Sequence, residues 1–409
     1  MAITVSHDIV IIGGGSAGIA TASSLLKRRP SLDIAVVEPS EDHYYQPGWT
    51  MVGGGVFEAP VTRRSTASVM PKAVTWIRQA AATFQPENNQ VTLGDGTNIN
   101  YKLLVVAPGI RLAWEQIEGL EETLGKNGVT SNYRYDLASY TWELVRNLKS
   151  GRAIFSQPPM PIKCAGAPQK AMYLSCDVWK DSGVLGNIEV EFRNAGGVLF
   201  GVEAYVPALM EYVDRYGIQL KLGSRLVAVD GASRTATFET AEGKVTREFD
   251  MLHVVPPQVA PQFVANSPLA AESGFVDVDQ FTMQHVRYPN IFGLGDAGSM
   301  PNAKTMAAVR KQAPIVACNA LAVLDGKQPM ADYDGYGSCP LTVERGKIIL
   351  AEFGYGGKLL PSFPTWLIDG RRPARLSWLL KSEVLPWVYW NGMLRGHEWL
   401  AKPNERRAA

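Results

Sequence analysis

The N-terminal segment constrains this chain most: a strand, a glycine-rich turn, a helix and a second strand that ends on an acid. Residues 8–12 read as a strand, apolar without a break after Asp8, as in a parallel sheet covered on both faces. Gly13, Gly15 and Gly18 follow in G-x-G-x-x-G spacing, a helical stretch reaches about residue 27, and the strand over 33–37 stops at Glu38. The glycines allow a tight turn and close approach to a pyrophosphate. Amides at the helix N-terminus face the phosphates, and the acid accepts ribose hydroxyls. The pattern predicts an α/β, Rossmann-like frame with a dinucleotide site at Gly13, Gly15, Ser16, Ala17, Gly18, Glu38 and Pro39.

Two later segments decide which dinucleotide. Residues 101–109 read as a strand entering the turn Ala107-Pro108-Gly109, and 290–297 as a strand that presents Gly295 and Asp296 at its end. Both resemble the paired motifs of flavoproteins with two dinucleotide-binding domains, which implies FAD, with the aspartate on its ribityl chain. A helix expected to begin near Thr305 would point its N-terminal amides at negative charge on the reduced flavin. Between these segments lies a second α/β unit, with strands over 153–156 and 188–192 and a helix over 168–180. Its first loop, 157–167, lacks the glycine triplet, and its second strand ends in Arg193-Asn194 rather than an acid, so nicotinamide-nucleotide binding is not expected. Residues 231–247 read as a small hairpin. The expected division is 1–120 with 270–330 as a discontinuous FAD-binding domain, 121–269 as a second Rossmann-like domain with a degenerate NAD site, and 331–409 as a C-terminal membrane-associating region.

A chain of 409 residues, 46% hydrophobic and 19% charged, can build two or three cores, and a formal net charge of +1 gives no reason to expect nucleic acid. Four cysteines are too few for a disulfide framework and suit a reducing compartment with at most one functional disulfide. No apolar run reaches the ~18 residues of a membrane span, and the N-terminus carries no export signal, so a cytoplasm-facing chain is expected. Cys164 occupies the loop where a second pyrophosphate would lie, and Cys339 sits in Gly337-Ser338-Cys339-Pro340.

These two segments, with His43-Tyr44-Tyr45-Gln46-Pro47, residues 253–257, 274–279, 288–296 and 389–396, resemble the sulfide:quinone oxidoreductases, mitochondrial-type and bacterial. The resemblance implies that Cys164 and Cys339 form a redox-active disulfide beside the flavin. Cys339 would take sulfide as a persulfide, and Cys164 would leave as the thiolate that passes electrons to the flavin. Gln46, Lys304 and Thr305 join the cofactor set, with Lys304 favouring the anionic reduced flavin. Lys163, next to Cys164, would point away from it in extended chain. Cys176 and Cys318 read as core residues, His253 as a hydrogen-bonded core residue, and no histidine pair has metal-ligand spacing. Some members use a third cysteine near 120–130; this chain has none there.

Five of the ten tryptophans lie beyond residue 360. Leu376, Leu379, Leu380, Val384, Trp387, Val388 and Leu394 follow a helical stripe interrupted at Pro386, flanked by Arg371, Arg372, Arg375, Lys381 and Arg395. That pattern predicts an interfacial helix among lipid headgroups; the alternative is a helix packed on its own domain or on a second copy in a homodimer. Phe353, Tyr355, Phe363 and Trp390 are candidates for a quinone slot. The expectation is a peripheral enzyme on the cytoplasmic face of a bacterial inner membrane, with sulfide, a membrane quinone and a small sulfur acceptor (thiol, sulfite or cyanide) as partners. Rival readings are a flavoprotein sulfide dehydrogenase with a cytochrome acceptor, an NADH:quinone oxidoreductase, and a non-catalytic FAD-bound scaffold or sensor.

Overall fold

The computed structural model describes residues 4–404; residues 1–3 and 405–409, the extremes of the expected domains, lie outside it. The first strand, Thr4–Ile12, pairs in parallel with Ile34–Val37 on one side and Asn98–Val106 on the other. Asn98–Val106 is long enough to serve two neighbours. Its first half pairs with Gln90–Leu93, and its end takes Ile291–Gly293, which returns from far along the chain. That return places Gly295 and Asp296 beside the glycine-rich turn. Ile9, Val10, Ile11, Ile34, Val36, Leu104 and Val105 are buried, as a sheet covered on both faces requires. The helices Ser16–Arg28 and Met306–Leu324 cover it.

A second sheet is wholly parallel, in the order Val129–Thr130, Met251–His253, Gly151–Gln157, Ile188–Asn194, Gln219–Leu222. Its helix, Ala167–Asp181, starts one residue before the expected position, with Pro168 in the first turn where a missing amide costs nothing. The hairpin expected over 231–247 is the second half of a three-stranded antiparallel sheet, Arg225–Asp230, Thr235–Thr240 and Gly243–Glu248.

The C-terminal region joins both cores. An antiparallel hairpin, Gly337–Glu344 with Lys347–Phe353, buries Cys339, Leu341, Val343, Ile349 and Ala351 against the second unit. Further on, Tyr389, Trp390, Met393 and Leu394 are buried in the core of the first. The stretch 375–395 winds as an irregular helical run with wide π-type turns at Leu380–Val384 and Val388–Gly392. Pro386 sits between them in a single α turn, so it does not end the run. Among the described residues, no helix is long and apolar enough to cross a membrane.

Candidate active site

The loop that carries Cys164 is tied down at several points. The Lys163 amide donates to Gln258 Oε1 at 2.7 Å, and the Cys164 amide donates to the Lys304 carbonyl at 2.7 Å. The Tyr133 hydroxyl donates to the carbonyls of Lys163 and Cys164, at 3.0 and 3.3 Å. Together they hold Cys164 at φ +50°, in the left-handed region, which costs a residue with a Cβ about 1–2 kcal/mol. The chain here is therefore not extended, which corrects the expectation for Lys163. Its side chain enters the central cavity, with Nζ donating to Gln46 Oε1 at 2.8 Å.

Cys339 approaches from the C-terminal hairpin. Alternation along the strand sends Cys339 and Leu341 toward the helix Ala167–Asp181, while Ser338 and Pro340 line the cavity. Gly166 makes the approach possible, because a Cβ there would stand 2.4 Å from Cys339 Sγ. The two sulfurs are 3.6 Å apart and unbonded, and Lys170 Nζ is 3.1 Å from Cys164 Sγ. The hydrogen bond from Cys339, and then the Lys170 ammonium, hold the Cys164 thiol well below its ordinary value. The same bond and burial push Cys339 well above it. Lys170 beside Cys164 favours a thiolate there over one on Cys339. Burial opposes charge on Lys170, but the two cysteines outweigh it and raise its pKa.

Lys381 completes the cluster and is the largest departure from the sequence reading. It is 4% exposed and lines the cavity, so it does not meet lipid headgroups. Burial first, and then the Lys170 charge, lower its pKa to about 7. Neither Lys170 nor Lys381 is a site residue on the sequence pattern alone. The available signal for Lys170 is its place six residues after Cys164, in the first turn of the helix the loop enters; for Lys381 it is the helical phase, which sets it opposite Leu376 and Leu379 and four residues after Ser377.

The cavity encloses about 630 Å³. Of the expected cofactor residues, Gly13, Gly15, Ser16, Ala17, Glu38, Gln46, Ala107, Pro108, Gly109, Gly295, Asp296, Lys304 and Thr305 line it. Gly18 and Pro39 do not; Gly18 packs beneath the turn, where a Cβ would overlap the Gly13 carbonyl, and Pro39 is exposed. The donor set fits a dinucleotide: a Cβ on Gly15 would project into open space, and the Glu38 carboxylate braces the turn by accepting from the Gly14 amide at 2.8 Å. Lys304 is buried, and this lowers its pKa to about 8. Its ammonium donates to the carbonyls of Asp296 and Gly298 at 2.9 and 2.7 Å, so it also orders the loop that presents Asp296. Thr305 caps the helix Met306–Leu324 by accepting from the Ala308 amide. Trp49 Nε1 and both side-chain polar atoms of Asn132 are buried at this wall with no partner in the protein, as groups awaiting a polar ligand would be.

Of the four quinone candidates, Phe363 alone lines the cavity. Phe353 lies on the other face of its strand and meets Phe200 edge-on at 6.0 Å, whereas Leu350 and Glu352 face the cavity. Tyr355 donates to the Gln280 carbonyl and packs on Phe281. Trp390 is 4% exposed beneath the Arg64 guanidinium, so it is neither a slot residue nor a membrane contact. The stripe splits the same way: Leu376, Leu379, Val384 and Trp387 are exposed, Leu380 and Val388 line the cavity, and Leu394 is buried. Cys176 is buried, and His253 is a neutral core residue, its Nε2 accepting from the Asn132 amide at 2.9 Å and its pKa lowered by burial to about 3.

Residues 7–156 match the family model described as pyridine nucleotide-disulphide oxidoreductase. The chain is 43% identical over 397 residues to the mitochondrial sulfide:quinone oxidoreductase of Dictyostelium discoideum, covering 96% of this chain and 87% of that protein. Among solved structures, a chain of the Tetrahymena thermophila mitochondrial ATP synthase aligns with a TM-score of 0.84 at 21% identity, covering 96% of each chain. The sulfide:quinone oxidoreductase of Aquifex aeolicus aligns with a TM-score of 0.78 at 21% identity, covering 96% of this chain and 92% of that one. These two likenesses show the fold.

Proposed function

Because the chain belongs to the sulfide:quinone oxidoreductase family, and so is an FAD-dependent enzyme that oxidises sulfide and reduces a quinone, we propose that Cys339 receives the sulfur while Cys164 faces the flavin. The observation that carries this assignment is an asymmetry: Cys164 lines the cavity with Lys170 at 3.1 Å, and Cys339 is not among its lining residues. FAD, when bound, supplies the two-electron relay between the sulfur and the quinone. The glycine-rich turn, Glu38, Asp296 and Thr305 would hold it.

In the oxidised pair, hydrosulfide attacks Cys339 Sγ. The Cys164–Cys339 bond breaks, a persulfide S–SH forms on Cys339, and Cys164 departs with the bonding pair as a thiolate. Lys170 stabilises that thiolate and so makes it the better leaving group. Discharge of the persulfide to a small acceptor, a thiol, sulfite or cyanide, leaves two thiolates; re-forming the Cys164–Cys339 bond releases two electrons, which FAD, when bound, would accept on their way to the quinone. The cavity continues along Leu380, Val384, Leu385 and Val388. Around that end Trp366, Leu367, Leu376, Leu379 and Trp387 are exposed, with Arg371, Arg372 and Arg375 close by in sequence. This rim supports a peripheral seat on a membrane, here the cytoplasmic face of a bacterial inner membrane, from which a quinone reaches the site. The three-part division of the chain into FAD-binding, degenerate second and membrane-associating regions is part of the same reading.

Anaerobic sulfide titration tests the assignment. Cys164→Ser and Cys339→Ser should each keep FAD yet lose nearly all sulfide-dependent bleaching of the flavin, and Cys176→Ser should behave as the parent. Ordinary turnover by either of the first two would overturn it.

A further inference from the structure

The C-terminal run has a second attachment, remote from the cysteines. Between Tyr389 and Glu398 it lies along the helix Ser16–Arg28, whose N-terminus receives the dinucleotide phosphates. At the far end Glu398 pairs with Arg28 and accepts from Ser24 Oγ at 2.6 Å. In the middle, Ser23 Oγ donates to the Leu394 carbonyl at 2.8 Å, and Gly396 lets the backbones meet, since a Cβ there would stand 2.8 Å from the Ser23 carbonyl. At the near end Tyr389 reaches the phosphate loop. Its hydroxyl is 2.7 Å from Ser16 Oγ and 2.6 Å from His43 Nε2, and His43 Nδ1 is 3.2 Å from the Gly14 carbonyl.

The direction of these bonds follows from chemistry. A carbonyl only accepts, so Nδ1 carries the hydrogen. Burial keeps the imidazole neutral, with its pKa down at about 4, so Nε2 is a bare acceptor. Tyr389 therefore donates its one hydrogen chiefly to His43 at 2.6 Å, the Tyr44 carbonyl lying farther off at 3.5 Å, and Ser16 donates to Tyr389. The chain runs Ser16 to Tyr389 to His43 to Gly14, and it closes on both flanks of the turn that must receive an anion. The imidazole N–H also offsets the partial negative charge of the Gly14 carbonyl beside that anion.

We infer that Tyr389 is a positioning residue for the FAD site: through Ser16 and His43 it holds the phosphate loop in its binding geometry, so flavin occupancy and docking of the C-terminal run are coupled. Such coupling is reciprocal. A loop organised by the tail binds FAD more tightly, and bound FAD holds the tail more firmly. The inference does not depend on the roles given to the two cysteines.

Tyr389→Phe removes the hydroxyl and keeps the ring between Tyr45 and Trp390. FAD release from the holoenzyme, followed by flavin fluorescence on dilution, should become about tenfold faster. Backbone hydrogen exchange over 388–396 in the holoenzyme should rise. Because Ser16 is one of the two arms, the effect of Tyr389→Phe on FAD release should shrink to about threefold in a Ser16→Ala background, the His43 arm carrying the remainder, and Ser16→Ala alone should raise exchange in the tail. A purely structural role would raise exchange in Tyr389→Phe without changing FAD release, and would make the two substitutions additive; either result overturns the inference. If Tyr389→Phe does not fold, Ser16→Ala decides alone, and unchanged tail exchange in that variant refutes the coupling.

Discussion

Replacing Lys170 with methionine tests the electrostatics of the sulfur pair most directly. With Nζ 3.1 Å from Cys164 Sγ, two unit charges interact by about 5 kcal/mol at an effective dielectric of 20. At about 1.4 kcal/mol per unit, that is up to about 4 pKa units on the thiol. Part of the loss is offset. The hydrogen bond from Cys339 remains, and Lys381, held near 7 by burial and then by the Lys170 charge, takes up a proton more readily once that charge is gone. A net rise of about 2–3 units in the Cys164 pKa is expected. The assay is the pH dependence of Cys164 alkylation by iodoacetamide in the reduced holoenzyme, read by mass spectrometry with the buried Cys176 as an inert reference. Sulfide-dependent flavin reduction should also slow by about ten- to thirtyfold, taking a Brønsted sensitivity of about 0.5 for the leaving sulfur. Removing Lys381 as well should move the pKa further than the two single shifts together, because the second lysine can no longer compensate. An inflection that moves by less than about half a unit in Lys170→Met would refute the claim that this ammonium holds the thiolate.

NADH and NADPH should bleach the flavin at least ~100-fold more slowly than sulfide, because the Cys164 loop has no glycine cradle and the neighbouring strand ends in Arg193, paired with Glu191, rather than a ribose-binding acid; fast stoichiometric bleaching by NADH in anaerobic stopped flow would refute this. Burial lowers the His253 pKa to about 3, below the ordinary 6.5, so between those values the unfolded chain binds the proton and the native one does not. Its contribution to stability is complete above about pH 6.5 and is lost as the pH falls toward 3, by up to about 1.4 kcal/mol per unit, and denaturant unfolding of His253→Gln should show a correspondingly shallower acid slope. Trp366 and Trp387 are 83% and 55% exposed, so replacing both with serine should weaken binding to anionic liposomes about tenfold and slow reduction of long-tailed quinones. FAD content and sulfide bleaching should be unchanged in that variant, and retained liposome binding would return the tail to a packing role.

Much of the site is legible in sequence where the backbone itself dictates the chemistry. A glycine turn and an acid at the end of the next strand have few other uses together, and 13 of the expected cofactor positions do line the cavity. Cys164 and Cys339 are distant in the chain, and their pairing came from family resemblance; the structure brings them to 3.6 Å. Side-chain facing is harder to read, and the errors share a cause. Phe353 is aromatic and reads as a slot residue, yet strand alternation gives the cavity to Leu350 and Glu352. Lys163 was aimed by an extended backbone that Cys164, at φ +50°, does not supply.

Lys381 and Trp390 show how far a periodic reading carries. A Lys flanking a Leu and Trp stripe reads as a headgroup contact if only composition is followed and not its place around the helix. Regular spacing already sets Lys381 opposite the exposed Leu376 and Leu379, four residues after the buried Ser377, whereas the π-type turns rotate Trp390, three residues after the exposed Trp387, onto the core of the first sheet. Pro386 between them could have been taken to end the helix; the run instead continues through it with altered phase. One short segment thus does three things at once: Leu376, Leu379 and Trp387 face outward, Lys381 faces the chemistry, and Tyr389 reaches the phosphate loop. A regular helix presents one apolar stripe; here Trp390 leaves the outward face that Trp387 keeps, because the wide turns change the phase between them.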